Sequence, residues 1–491
     1  MKEKAFKISI VAIFILAVFL RFKAYLFNVS FWFDESALAL NIINRSFLGL
    51  LKPLGYTQCA PYGFLVLTKL ITKLFGTSEY AFRFLPFLAS ILSIPAFYFL
   101  SKKVLNKKWS ILIANYLFVV NSWLLYYTKE FKQYSVEMFF AIILTLYLSS
   151  LDLKTLSVKK CLALGFVFFI MFLFSMPVAF ILAAFCLYLI YKNKKTSIKQ
   201  IFFISLPFIL CALPYYFIYL KPSKIMMTAF WYQLWGLGYI KFTPEFLYQF
   251  FVYFFNFTFG SNYNPLPALI LTSIGTFLIF KDKKRINAII LLIFLVAILA
   301  SILHLYPILH RLHLYLTPFV LLIAVKTLDV LSFKCKRKII VAIFIVLLFA
   351  WCLRTNSVNH LKRITKPDMY SYSVQRKYMK LIKDNAAPDD IFVFSAGALA
   401  NYIYYFRYYD IKNETVKNFS KGNNYKDVEN AMAKLTPGKT YWFYQDSHEA
   451  SKKLAPFIKK WAHENKNVEI LFEEELQKPC YSYLLKVKIK H

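Results

Sequence analysis

Apolar stretches long enough to cross a bilayer recur along the first 355 residues of this chain, with short lysine clusters between them. A membrane-spanning helix needs ~20 consecutive, mostly apolar residues. A soluble core does not account for so many in series, because a surface helix buries one stripe and wets the other. Charged residues make up 17% of 491 positions, against ~25% in a soluble domain. The net charge of +35 would suggest nucleic acid if the chain were soluble. Here the lysines lie between apolar segments, where cytoplasmic loops meet anionic headgroups. No nucleic-acid recognition motif is present, so the basic surface is assigned to membrane lipids.

Orientation follows from parity. Lys2, Lys4 and Lys7 precede an apolar run from Ile8 to Leu20, and no small-residue cleavage site follows. Residues 8–27 are therefore read as an uncleaved first span with a cytoplasmic N-terminus. The next strong span is 80–100. Between them lies APYGFLVLTKLITKLFG (60–76), in which Lys69 and Lys73 fall four apart on one helical face. That pattern suits an amphipathic helix on the membrane surface. If it spanned, every later basic loop would face outward. With it on the surface, the basic loops at 102–108, 154–160, 192–199, 281–285 and 334–338 all fall inside. The remaining spans are 109–127, 135–151, 161–175, 177–191, 201–220, 265–280, 286–303, 314–331 and 339–354. The total is about eleven. The first outer loop is then 28–79, and a long outer loop runs over 221–264.

After Arg354 the chain turns polar. IFVFSA (391–396) and YWFYQD (441–446) read as short buried strands, 447–466 as a helix with Ser447 at its N-cap, and VEILFEEEL and CYSYLLKVKI as closing strands. The expected fold is an α-helical polytopic membrane domain over 1–355 and an extracytoplasmic α/β domain over 356–491. The seven cysteines are scattered, odd in number and without CxxC spacing, so they define neither a disulfide framework nor a zinc site. Only Cys59 and Cys480 are clearly placed outside, and theirs is the one pairing the topology leaves open.

Charges within or beside spans cost several kcal/mol unless paired or hydrated, which makes them default site candidates. Asp34 and Glu35 are adjacent in FWFDESALAL (31–40), just after the first span; a helix start would use them as cap and first-turn charge. Lys129, Glu130, Lys132 and Tyr134 crowd the outer turn in YYTKEFKQYSVEMFF (126–140), and Glu137 falls inside the following span. The segment HLYPILHRLHLYLTP (304–318) brings His304, His310, Arg311 and His313. Two histidines three apart can share a metal, but no third ligand is fixed by spacing. Arg311 offers a planar fork of donors suited to a phosphate at the membrane surface. The aromatics of WYQLWGLGYIKF (231–242) suit interfacial packing, or stacking on a sugar. Acids for a base and cations for a departing phosphate are what sugar transfer from a polyprenyl phosphate requires. Similar charges would also serve a transporter or flippase of lipid-linked sugars, although the internal repeats and paired broken helices common in transporters are not visible.

The order of these motifs resembles the GT-C superfamily of integral membrane glycosyltransferases. It is nearest the bacterial branch related to protein O-mannosyltransferases and lipid A aminoarabinose transferases (glycosyltransferase family 39-like). An acidic pair in the first outer loop is matched by Asp34-Glu35. A "HPPLYYLL…LFG.SE.ALR" stretch is matched by CAPYGFLVLTKLITKLFGTSEYAFR (59–83), a "YSQEARPYS"-like turn by YTKEFKQYS (127–135), and a late "P…R…L.P" segment by YPILHRLHLYLTP. Cys59 and Ala60 replace the usual His and first Pro, and Lys132 the usual Arg. The resemblance implies transfer of a sugar from a polyprenyl-phosphate donor to an extracytoplasmic acceptor, with inversion, in the plasma or inner membrane. It makes Asp34 the catalytic carboxylate, with Glu35 and Glu130 assisting. Lys129, Lys132, Arg311 and Arg83 become candidates for the carrier phosphate, and Tyr62, Tyr134, His310 and His313 for the substrate pocket. Enzymes of this kind differ in metal dependence, which leaves a divalent metal open as a cofactor.

Overall fold

The computed structural model describes residues 3–192, 198–225, 239–259, 265–308, 310–329, 375–394, 399–412, 415–416, 432–445, 449–476 and 482–491, with 343, 347 and 430 singly. Helix α1 (Glu3–Leu26) is followed by α2 (Phe33–Asn44), α3 (Tyr62–Phe75) and α4 (Glu79–Val104). Next come α5 (Lys108–Val120), α6 (Ser122–Tyr126), α7 (Tyr134–Ser150), α8 (Val158–Phe174), α9 (Val178–Tyr191) and α10 (Ile198–Tyr215). The apolar series closes with α11 (Pro244–Phe259), α12 (Leu266–Lys281), α13 (Arg285–Ile302) and α14 (Thr317–Asp329). Among the described residues, five helices have the length and composition to cross a membrane, and several shorter apolar helices accompany them. The chain is a multi-pass membrane protein.

Most expected spans coincide with helices, and the departures have local causes. The stretch 109–127 is two helices, because Asn121 ends α5 and its side chain accepts from Leu124 N to cap α6. Residues 244–259, expected as outer loop, form α11, whose buried Phe246, Phe250, Phe254 and Phe257 recur at helical spacing. Helix α3 has the length expected for 60–76 and stops at Gly76, whose φ of 81° suits glycine. Both of its lysines lie over the Phe47 ring. Lys69 is buried rather than at the headgroups, with Nζ donating to the Ile42 carbonyl at 2.5 Å. Residues 231–238, Ser447, most of 339–354, and Cys335, Cys352 and Cys480 lie outside the described residues, so the Cys59–Cys480 pairing does too.

Close packing explains two glycines. A Cβ at Gly275 of α12 would collide with the Ile323 carbonyl of α14, and one at Gly165 of α8 with the Ile204 carbonyl of α10. At the end of the bundle away from α2, Asp329 accepts from the backbone N–H groups of Asn106 and Lys107 at 2.8 and 3.2 Å. It thereby anchors the start of α5, which carries the chain back to the turn between α6 and α7.

The polar C-terminal part contains α15 (Gln375–Asn385), β1 (Ile391–Phe394), α16 (Leu399–Tyr408), β2 (Thr415–Val416), β3 (Thr440–Gln445), α17 (Glu449–Glu464), β4 (Val468–Leu476) and β5 (Ser482–Ile489). The strands form one sheet in the order β2-β1-β3-β5-β4, parallel from β2 to β3 and antiparallel beyond. Alternation buries Tyr441 and Phe443 under α17 and turns Trp442 and Tyr444 to the other face, toward α15 and α16. Helix α16 in turn lies against α2.

Candidate active site

The site is assembled on the first turn of α2. A loop from α1 enters the helix at Trp32, which sets Asp34 and Glu35 in that turn, where the helix dipole favours negative charge. The two acids then diverge. Glu35 is buried and takes a bidentate fork from Arg83, Nε to Oε1 at 2.8 Å and Nη2 to Oε2 at 2.7 Å. The Phe131 N–H also donates to Oε1, at 2.7 Å. Glu35 thus ties α2 to both α4 and the turn between α6 and α7.

Asp34 faces a different set. Arg311 Nη2 lies 2.8 Å from Oδ2, and Lys132 Nζ lies 3.8 Å from the same oxygen. Gln58 Nε2 donates to Oδ1 at 3.4 Å, while its Oε1 accepts from Lys132 Nζ at 2.6 Å. Gln58 is delivered by a turn in which Tyr56 and Thr57 take φ of 58° and 53°, a left-handed region uncommon outside glycine. Arg311 is sandwiched between the Trp32 and Tyr134 rings at 5.5 and 5.8 Å.

Burial alone would raise the Asp34 pKa, but the charges of Lys132 and Arg311 override it and hold the carboxyl below its usual value. Glu130 behaves oppositely. Burial, reinforced by the negative Glu35, pushes its pKa up to about 7. Neither Glu130 oxygen makes a well-aligned hydrogen bond, although the Tyr126 hydroxyl is close enough to favour the charged form. Burial and the Arg83 charge lower Lys129 to about 8. Lys129, Glu130, Glu35, Arg83, Tyr126 and Trp32 line one narrow cleft. One carboxylate is therefore kept ionised and a second is poised to exchange a proton near neutrality.

Residues 60–219, from the start of α3 past α10, match the family model for dolichyl-phosphate-mannose-protein mannosyltransferase. ArnT from Cupriavidus metallidurans bound to undecaprenyl phosphate superposes with a TM-score of 0.57 at 9% identity, covering 99% of this chain and 98% of that one. The apo form of the same protein gives 0.56 at 10% identity, covering 97% of each chain. The chain has the GT-C fold. No curated protein matches it significantly by sequence.

Within this GT-C frame, Asp34, Glu35, Lys129, Glu130, Lys132, Tyr134, Arg83 and Arg311 converge. Arg83 turns its remaining nitrogen to the Val29 carbonyl at 2.5 Å and the Asn28 side chain at 3.4 Å, so its donors face the loop and Glu35. Tyr62 stands apart, its hydroxyl donating to the Phe47 carbonyl at 3.2 Å. His313 is packed against the Phe254 and Phe257 rings at 4.6 and 5.4 Å. His310 begins the 3-10 turn His310–Leu316, and its side chain lies outside the described residues. Among the described residues, no three His, Cys, Asp or Glu side chains converge to hold a metal. Asp34 and Glu35 are each already neutralised by a guanidinium, a poor fit to a divalent cation.

Three contacts were not anticipated from sequence. Gln58 bridges Asp34 and Lys132. From the C-terminal part, the Tyr405 hydroxyl donates to Glu79 at 2.7 Å and accepts from the Phe31 N–H at 2.6 Å. Arg376 N–H donates to Ser30 Oγ at 3.2 Å, and its guanidinium pairs with Glu79 at 3.3 Å. The crowding of tyrosines in NYIYYFRYY (401–409) was the available signal for such a contact.

Proposed function

We propose that this protein transfers a sugar from a polyprenyl-phosphate donor to an extracytoplasmic acceptor hydroxyl, on a protein, a lipid glycan or a cell-wall polymer. It does so from the plasma or inner membrane with its N-terminus in the cytoplasm. The observation that carries the reading is the grouping of Arg311 and Lys132 on one Asp34 oxygen, with the buried Glu130 in the same group. The GT-C fold and the undecaprenyl phosphate held by ArnT support a polyprenyl-phosphate donor.

In this mechanism the carrier phosphate docks against Arg311 and Lys132, with Lys129 completing the positive rim. Asp34 orients the acceptor hydroxyl toward the anomeric carbon. The acceptor oxygen forms its bond to that carbon as the carbon–oxygen bond to the phosphate breaks, which inverts the centre. The acceptor proton passes to a carboxylate, Asp34 or Glu130, and the electron pair leaves with the polyprenyl phosphate. No step needs a metal.

The test is transfer from a panel of radiolabelled polyprenyl-phosphate sugars in membranes carrying wild type or Asp34→Asn. Release of one sugar by wild type alone supports the reading. Protein-dependent crossing of labelled lipid between leaflets, without sugar release, replaces it with a flippase.

A further inference from the structure

We propose that Glu137 reads the sugar of the donor, its carboxyl group accepting a hydrogen bond from a hydroxyl or ammonium of that sugar. The proposal rests on the donor reading above.

Glu137 is on α7, three residues after Tyr134, so it occupies the same helix face about one turn further along an apolar helix. It is 2% exposed, and its side chain makes no hydrogen bond or ion pair with any described residue. An acid at such a depth is costly unless something satisfies it, and a residue of this kind marks a substrate path by default. Its electrostatic neighbours are Tyr134, Tyr306, Tyr315 and Cys59, none of them cationic. Tyr315 is also buried, and its hydroxyl has no hydrogen-bond partner among the described residues. The two groups are near enough to feel each other and are not bonded to each other, so a third group is needed to satisfy both.

The surroundings define that group. Phe180 packs against Tyr306 and Tyr315 with centroids 5.3 and 6.4 Å apart, giving an aromatic wall beside the acid. Aromatic faces take the C–H face of a sugar ring while hydroxyls reach polar groups at its edge. An isoprenoid tail offers no donor to a carboxyl group. A divalent cation would want further oxygen ligands, and no second carboxylate is in this set. Tyr134 joins the pocket to the chemistry above it, since its ring lies under Arg311, which holds Asp34. A sugar whose phosphate sits on Arg311 therefore has Glu137 about one helical turn, ~5.4 Å, along the same wall.

The experiment uses the full chain in lipid nanodiscs and compares wild type with Glu137→Leu and Glu137→Gln. Two quantities are read: KM for the polyprenyl-phosphate sugar that wild type turns over, and affinity for bare polyprenyl phosphate. Glu137→Leu is expected to raise KM about tenfold or more, the equivalent of one lost hydrogen bond, while affinity for the bare carrier stays at the wild-type value. Glu137→Gln separates the sources. It stays near wild type if a neutral hydroxyl is read, and falls with Glu137→Leu if an ammonium is read. Wild-type KM in both variants overturns the proposal, as does an equal loss of affinity for bare carrier. A wild type that turns over no donor fails the transferase reading instead. Binding of sugar-bearing against bare carrier then still decides the role of Glu137.

Discussion

Arg311 and Asp34, 277 residues apart in the chain, meet with Nη2 2.8 Å from Oδ2 at the start of α2. A cation bound this closely keeps Asp34 ionised but makes it a weak base. In the proposed mechanism the same guanidinium meets the incoming phosphate, which would couple donor binding to the state of Asp34 through one side chain.

Asp34→Asn should lower kcat by roughly 10²–10⁴-fold, the range for loss of a positioned acid–base group. Arg311→Lys should raise the donor KM and recover only part of the loss seen in Arg311→Ala, because an ammonium lacks the planar fork. Steady-state kinetics with the active donor check both. A donor KM for Arg311→Lys equal to wild type would remove Arg311 from the phosphate site.

Stability should depend on pH through the turn that carries Lys129 and Glu130. A free glutamate titrates near 4.5 and buried Glu130 near 7, so the folded state holds a proton that the unfolded state has lost. This contribution is complete below about 4.5 and disappears as pH rises to about 7. Lys129 titrates near 8 rather than 10.5, so the folded state sheds its proton early and stability recovers across that interval. Each limb is on the order of a few kcal/mol. Melting of the detergent-solubilised protein should therefore pass through a minimum between the limbs, and Glu130→Gln should flatten the acid side alone.

Glu35 and Arg83 are expected to act on stability more than on donor affinity. Removing one partner of a buried pair costs ~3–5 kcal/mol, because the other charge is left uncompensated. Glu35→Leu and Arg83→Leu should each lower the melting temperature strongly, and the double variant should be less than additive. Strict additivity in that cycle would show that the pair does not couple.

Tyr405→Phe deletes one hydroxyl and leaves both the Phe31 N–H and Glu79 without it. The expected cost is ~1–3 kcal/mol, together with faster proteolysis of the loop before α2. Wild-type proteolysis and melting would show that the C-terminal part does not brace this loop.

Beneath the turn runs a directed chain of hydrogen bonds. Arg21 Nε donates to Ser90 Oγ at 2.9 Å, and the Thr128 hydroxyl donates to the Leu124 carbonyl at 2.9 Å. The 2.7 Å contact between Ser90 and Thr128 must then have Ser90 as donor. Thr128→Val should break the chain at a cost of ~1–2 kcal/mol, because the Ser90 hydroxyl loses its acceptor. Thr128→Ser should restore it, as read by melting temperature.

The membrane class and the order of most helices were legible in the sequence. Transfer into lipid is a local free energy, summed residue by residue along each apolar run. The same locality hid the buried state of Lys69, which depends on what packs beside it. Sequence placed Asp34, Glu35, Arg83, Lys132 and Arg311 together without assigning partners. Packing set the rest: Arg83 holds Glu35 while Arg311 and Lys132 hold Asp34, Gln58 and Tyr405 brace the site, and the Glu137 carboxyl meets no side-chain partner among the described residues. Pairing energies fall off over a few ångströms, and those distances are set by the packing of segments far apart in the chain.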